Sequence, residues 1–125
     1  MDVTPLIPQG RQIIESYGGG GFRVTGERYR GSVLVLPDWS APWPLAAIGE
    51  LTLESLEPVL AAEPPVEVLL IGCGAAMAFI DPELRAAARA RGVALEPMDT
   101  GAACRTYNVL MAEDRRVAAA LIAVD

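Results

Sequence analysis

Apolar positions recur along this chain in two rhythms, and the change from one to the other divides it near the middle. The first rhythm is short and punctuated by glycine. Ile13 to Tyr17 reads as a strand that Gly18 to Gly21 ends, since four glycines take positive φ freely and favour a hairpin or bulged turn. Phe22, Val24 and the run Tyr29 to Leu36 continue as strands, with Gly26 marking the turn between them. The stretch SVLVLP is almost continuously apolar, as expected of a strand covered on both faces. A weaker strand signal, Val3 to Ile7, is broken by Pro5 and Pro8. Pro37 to Pro44 reads as an irregular connection. Leu53, Leu56, Val59 and Leu60 then take helical spacing, with Pro58 delaying the helix to about Ser55 and Pro64-Pro65 ending it.

The second rhythm alternates strand and helix. Val66 to Ile71 is a buried strand followed by Gly72 to Gly74. Asp81-Pro82 supplies an N-cap and a first-turn proline for a helix to Arg91, and Gly92 closes it. Val93 to Met98 is the next strand. Thr100 is expected to cap a helix reaching about Glu113, and Val117 to Val124 is the last strand. This β-α-β-α-β order predicts an α/β domain over residues 1–125, with parallel strands joined by right-handed crossovers and a β-hairpin region before them.

Composition narrows the chemistry. The 125 residues are 52% hydrophobic and 21% charged, enough for a real core and against disorder. The formal net charge is −6, and all cations are Arg; no nucleic-acid partner is expected of such a chain. The absence of His and Lys excludes a Ser–His or Cys–His pair, a Schiff-base Lys and a P-loop. With two Cys and no His, no metal is expected. MDVTPLIPQG lacks the pattern of a signal peptide, and Val68 to Ile80 is too short to span a bilayer, so we expect no membrane insertion and a cytoplasmic location. Lys-free, Ala- and Arg-rich usage points to a bacterial source.

Chemically capable side chains concentrate in Met98 to Leu110, MDTGAACRTYNVL. Asp99 and Thr100 follow a strand and open a helix. Arg105 and Asn108, three apart, share a helix face and with the helix N-terminus form a candidate anion or carboxylate holder. Gly72, Cys73 and Gly74 are expected at the same sheet edge. A dinucleotide cradle does not fit there: Met77 occupies the third glycine position, and the next helix opens only at Asp81. We therefore expect no cofactor. The same residues also have a structural reading, in which Thr100 caps, Arg105 pairs with an acid, Tyr107 packs and Asn108 bonds a loop. Cys104 has no base beside it, so no catalytic residue is assigned. Cys73 and Cys104 are expected as reduced, buried thiols near each other but unbonded.

GGGGFRVTG, YRGSVLVLP, LLIGCG, the Gly-Val-Ala-Leu-Glu run and above all MDTGAACRTYNVLMAEDRRVAAALI resemble a family of small uncharacterised domains. That family includes the mitochondrial respiratory complex I assembly factor three proteins and an adipogenesis-associated animal protein. The resemblance implies a compact three-layer α/β fold with a mixed central sheet flanked by helices. It implies no established enzyme activity and no agreed catalytic residues; the mitochondrial members help to assemble a membrane respiratory complex. Two functions stand at this point. One is a non-catalytic binding or assembly protein that meets a protein partner through Trp39 and Trp43, a pair whose residue type favours a lid on the core over an exposed anchor. The other is a small anionic-ligand pocket or enzyme at Gly72 to Gly74 and Asp99 to Asn108, with Asp99 as acid or base.

Overall fold

A computed structural model describes residues 10–125; the strand expected over Val3 to Ile7 lies outside them. Strands β1 (Ile14–Gly18), β2 (Gly21–Val24) and β3 (Glu27–Arg30) form an antiparallel meander. Strands β4 (Val33–Val35), β5 (Ser40–Pro42), β6 (Val68–Gly72), β7 (Ala94–Met98) and β8 (Val117–Leu121) form a second sheet in the order β5-β4-β8-β6-β7. β6, β7 and β8 are parallel, whereas β4 runs antiparallel to β5 and β8, so this sheet is mixed.

The five-stranded sheet is the middle layer, and strict alternation feeds both of its faces. Leu69, Ile71, Ala118, Ala120, Leu34 and Leu36 point to one side, where Trp43, Leu56, Val59 and Ala88 pack. Leu70, Val117, Ala119, Leu121, Val33 and Val35 point to the other, against Phe22 and Val24 of the meander and Ala103, Cys104, Tyr107 and Met111 of the last helix. The first side is covered by α1 (Glu57–Leu60) and α2 (Pro82–Ala90), the second by α3 (Thr100–Ala112) together with the meander. This is the expected three-layer arrangement, with the N-terminal antiparallel strands on the α3 side.

Several boundaries differ from the pattern. The run Tyr29 to Leu36 is two strands in two sheets, parted at Gly31 and Ser32. Gly31 takes φ of 83°, which a side chain would resist, and its N–H donates to Gly20 O at 2.8 Å. Pro37 to Pro44 contains the short edge strand β5, and its prolines restrict it to that edge. The helix expected near Ser55 is a single turn, Glu57–Leu60, reached through 3₁₀ turns at Ile48–Glu50 and Glu54–Leu56. Arg91 clamps α1 bidentately through Glu57, at 2.6 and 3.0 Å.

Candidate functional site

The carboxyl ends of the parallel strands meet at Gly72–Gly74, Asp99–Thr100 and Ile122, the crevice where an α/β sheet holds ligands. Here the polar groups are used on one another. Thr100 Oγ1 accepts from Gly74 N–H at 3.0 Å and donates to Ile122 C=O at 2.7 Å, joining the ends of β6, β7 and β8. Thr100 N–H donates to Gly74 C=O at 2.8 Å, and Cys73 N–H to Met98 C=O at 2.8 Å. A phosphate cradle needs free amides; those of Cys73 and Gly74 are occupied. Gly72 is glycine for closeness, since an added Cβ would lie 2.9 Å from Leu121 Cδ2 and 3.1 Å from the Thr100 Cα.

The α3 cap is Asp99, not Thr100. Asp99 stays extended at φ −66° and ψ 158°, and its carboxylate accepts Ala102 N–H at 3.0 Å. Thr100 is already helical and fully buried, so its hydroxyl serves the strand junction instead. With Asp99 and Gly74 accepting from the amides of Ala102 and Thr100, little of the helix N-terminus remains for an outside anion.

Arg105 and Asn108 do not act together. Both ends of the Asn108 amide engage the backbone of Ile14: Ile14 N–H donates to Oδ1 at 2.9 Å, and Nδ2 donates to Ile14 C=O at 2.8 Å. Tyr107 is fully buried and donates its phenol proton to Gln12 C=O at 2.9 Å. Tyr107 and Asn108 thus dock the start of β1 onto α3. Arg105 is exposed, its Nη1 lying 3.5 Å from the Tyr17 hydroxyl. Tyr17 sits over Gly101, where any side chain would overlap the phenol. Glu15, Ser16, Tyr17, Cys104, Arg105 and Asn108 line a cleft of about 350 Å³ between β1 and α3.

The two thiols are free and buried, but they lie on opposite sides of the central sheet, Cys73 with the α2 side and Cys104 with the α3 side. They are therefore not neighbours: adjacent strand ends carried them to different layers. Burial pushes the Cys104 thiol up to about 12; Arg105 opposes this and Asp99 adds to it. A thiol held protonated at neutral pH is a poor nucleophile. Among the described residues no group of three His, Cys, Asp or Glu is placed to hold a metal ion.

Trp43 is only 3% exposed and donates its indole N–H to Ser55 C=O at 2.9 Å; Trp39 packs partly buried against the same core. Both serve as a lid, which leaves Trp43 out of reach of a partner. Exposed apolar side chains lie elsewhere: Val109 on α3, Tyr17 on β1, and a pair on the uncharged loop between β6 and α2. Phe79 is 93% exposed and Met77 60%. In the sequence this loop shows only as the gap between Gly74 and the late helix start at Asp81, with the uncharged apolar run continuing past the end of β6.

A family model described as a protein of unknown function, DUF498/DUF598, matches residues 14–122. The chain belongs to this family. It is 37% identical over 110 residues to NADH dehydrogenase (ubiquinone) 1 alpha subcomplex assembly factor 3 of Xenopus tropicalis, covering 88% of this chain and 60% of that protein. The chain thus spans about 60% of the length of the animal relatives it matches. An uncharacterised protein of Rhodobacter capsulatus is 38% identical, with 87% of this chain and 82% of that one covered. Among solved structures, one described as an outer membrane protein from Bartonella henselae superposes with a TM-score of 0.85 at 40% identity, covering 93% of this chain and 98% of that one. A Mth938-like domain from Bordetella pertussis superposes with a TM-score of 0.82 at 30% identity, covering 98% and 92%. Among the described residues no helix is long and apolar enough to cross a membrane.

Proposed function

We propose that this chain is a non-catalytic protein-binding protein of the assembly-factor kind, and that it meets its partner through the loop Gly74 to Ile80. The observation that carries this reading is Phe79, 93% exposed beside Met77 on a loop without charge. A phenyl ring held in water gains free energy when a partner's apolar pocket takes it in, and such aromatic anchors dominate interface energetics. The polar residues of the MDTGAACRTYN segment add support of a negative kind, because most of them are already bonded within the fold. The similarity to proteins named as assembly factors supports the same class of function. Two unpaired thiols in separate layers suit a reducing, cytoplasmic setting.

The test is affinity capture from native lysate with wild type and Phe79→Asp in parallel, the captured proteins being identified by mass. One protein recovered in stoichiometric amount by wild type and lost with Phe79→Asp, at an unchanged melting temperature, supports the loop. An identical set of captured proteins from both sinks it.

The cleft between β1 and α3 favours a second reading, a small anionic ligand held by Arg105 and the Tyr17 hydroxyl, with Asp99 and Thr100 shaping the helix end behind them. Among the described residues no carboxylate forms an ion pair with Arg105. A thermal-shift panel of anionic metabolites tests it. A rise in melting temperature that Arg105→Ala abolishes is expected, and a flat panel removes the idea.

A further inference from the structure

The meander carries an unusual face. Along β2 the side chains of Phe22 and Val24 enter the core, so Arg23 between them points outward. The Thr25-Gly26 turn sets the register Arg23↔Arg28, and on β1 the partner of Arg23 is Ser16. Arg28 and Arg30, two apart, share that outer face, and Arg30 stands opposite Gly21, itself opposite Gly18. The face therefore reads as one row of Ser16, Arg23 and Arg28, and a second row in which Arg30 stands beside Gly21 and Gly18, which carry no side chains. The Arg28 guanidinium reaches towards Gly19, within 3.9 Å of where a Cβ would be.

Two like charges directly opposite each other in an antiparallel sheet are unfavourable. Nothing in the packing requires them here, since the positions are exposed. Among the described residues the acid engaged with them is Glu15, 3.7 Å from Arg23 Nε, and it also accepts Gly26 N–H. Among the described residues neither Arg28 nor Arg30 has a carboxylate partner within ion-pair distance. A chain of net charge −6 thus concentrates three of its ten cations on one small sheet face.

We propose that this face, Arg23, Arg28 and Arg30 beside the Gly18–Gly21 turn, binds an acidic segment of a protein partner. The proposal rests on the reading of the chain as a protein-binding protein and names a second contact for it. Guanidinium forks pair bidentately with carboxylates. Neighbouring strands lie about 4.8 Å apart, and residues two apart on a strand about 6.8 Å, so the guanidinium stems form a grid at that spacing. An extended segment with acids at every second residue presents carboxylates at the same interval. Nucleic acid is disfavoured because the face offers no aromatic side chain for bases to stack on and the rest of the chain is acidic. A membrane surface is disfavoured because no apolar side chain stands beside the three charges.

The probe is a fluorescent peptide of four Glu-Thr repeats, titrated by anisotropy. Expected is saturable binding to wild type, weakened about tenfold by Arg28→Glu or Arg30→Glu and by raising salt from about 50 to 300 mM. Arg115→Glu and Phe79→Asp leave the affinity unchanged, which separates this face from the loop. Arg28→Glu also melts at or above the wild-type temperature, since it turns a like-charge pair into an opposite one, so weakened binding cannot be ascribed to unfolding. Absence of peptide binding, or binding that ignores both substitutions, overturns the proposal. So does Arg28-dependent binding of a single-stranded oligonucleotide or of phosphatidylserine vesicles without binding of the peptide.

Discussion

Thr100→Val is the sharpest single perturbation of this fold. Valine has nearly the shape of threonine, and both have similar helix propensities, so the exchange leaves no cavity. It removes one oxygen that accepts from Gly74 N–H at 3.0 Å and donates to Ile122 C=O at 2.7 Å. Thr100 is fully buried and its bond to Ile122 C=O is buried, so water does not replace the oxygen there; only the half-buried Gly74 N–H is within reach of solvent. Each buried group left without a partner costs about 1–3 kcal/mol, so we expect a loss of about 3 kcal/mol. Unfolding entropy of about 2.1 cal/mol/K per residue makes 1 kcal/mol worth about 4 °C for a chain of 125 residues. Thr100→Val should then melt about 12 °C below wild type. Thr100→Ser keeps the hydroxyl and loses one methyl, a cost of about 1 kcal/mol, or about 4 °C. Urea titration of the three proteins, checked by thermal melts, orders them. If Thr100→Ser is the more damaging, packing rather than the strand junction governs this position, and the reasoning fails. Thr100→Val within 1 kcal/mol of wild type refutes it equally.

Asn108→Ala strands Ile14 N–H and C=O, which are only partly buried, and should cost about 2 kcal/mol; urea unfolding that shows under 0.5 kcal/mol would mean that water takes over both bonds. Thiol titration of the native protein should give no rapid equivalents, and two after unfolding without reductant; two rapid equivalents, or none after unfolding, contradict the buried, unbonded cysteines. Alkaline stability should fall in a defined window. Burial raises Cys104 from 9.0 to about 12 and also raises Tyr107 above its ordinary range, so the unfolded chain releases these protons first. Their contribution is whole below about pH 9 and is lost as pH climbs through the folded values. Cys104→Ala should flatten the decline of denaturation midpoint between pH 9 and 11, and an unchanged slope would show that this thiol does not contribute.

Local chemistry made much of this protein legible without coordinates. Alternating strand and helix signals from Val66 onward predict β6-α2-β7-α3-β8, and Asp81-Pro82 marks the α2 start because capping and proline φ act within a few residues. The continuous apolar runs of β4, β6 and β8 announce strands covered on both faces. Tertiary structure decided what those signals leave open. Thr100 and Asp99 both have side chains able to cap, and only the nearness of Gly74 and Ile122 recruits the Thr100 hydroxyl away from that task. Cys73 and Cys104 follow adjacent strand ends, yet the pleat and the helix turn carry them to opposite layers. Asn108 and Ile14 are 94 positions apart, so no spacing along the chain reveals that each satisfies the other. Exposure is the most non-local property of all. Trp43 and Phe79 look alike in one dimension, and only the packing of distant segments buries the first and leaves the second in water.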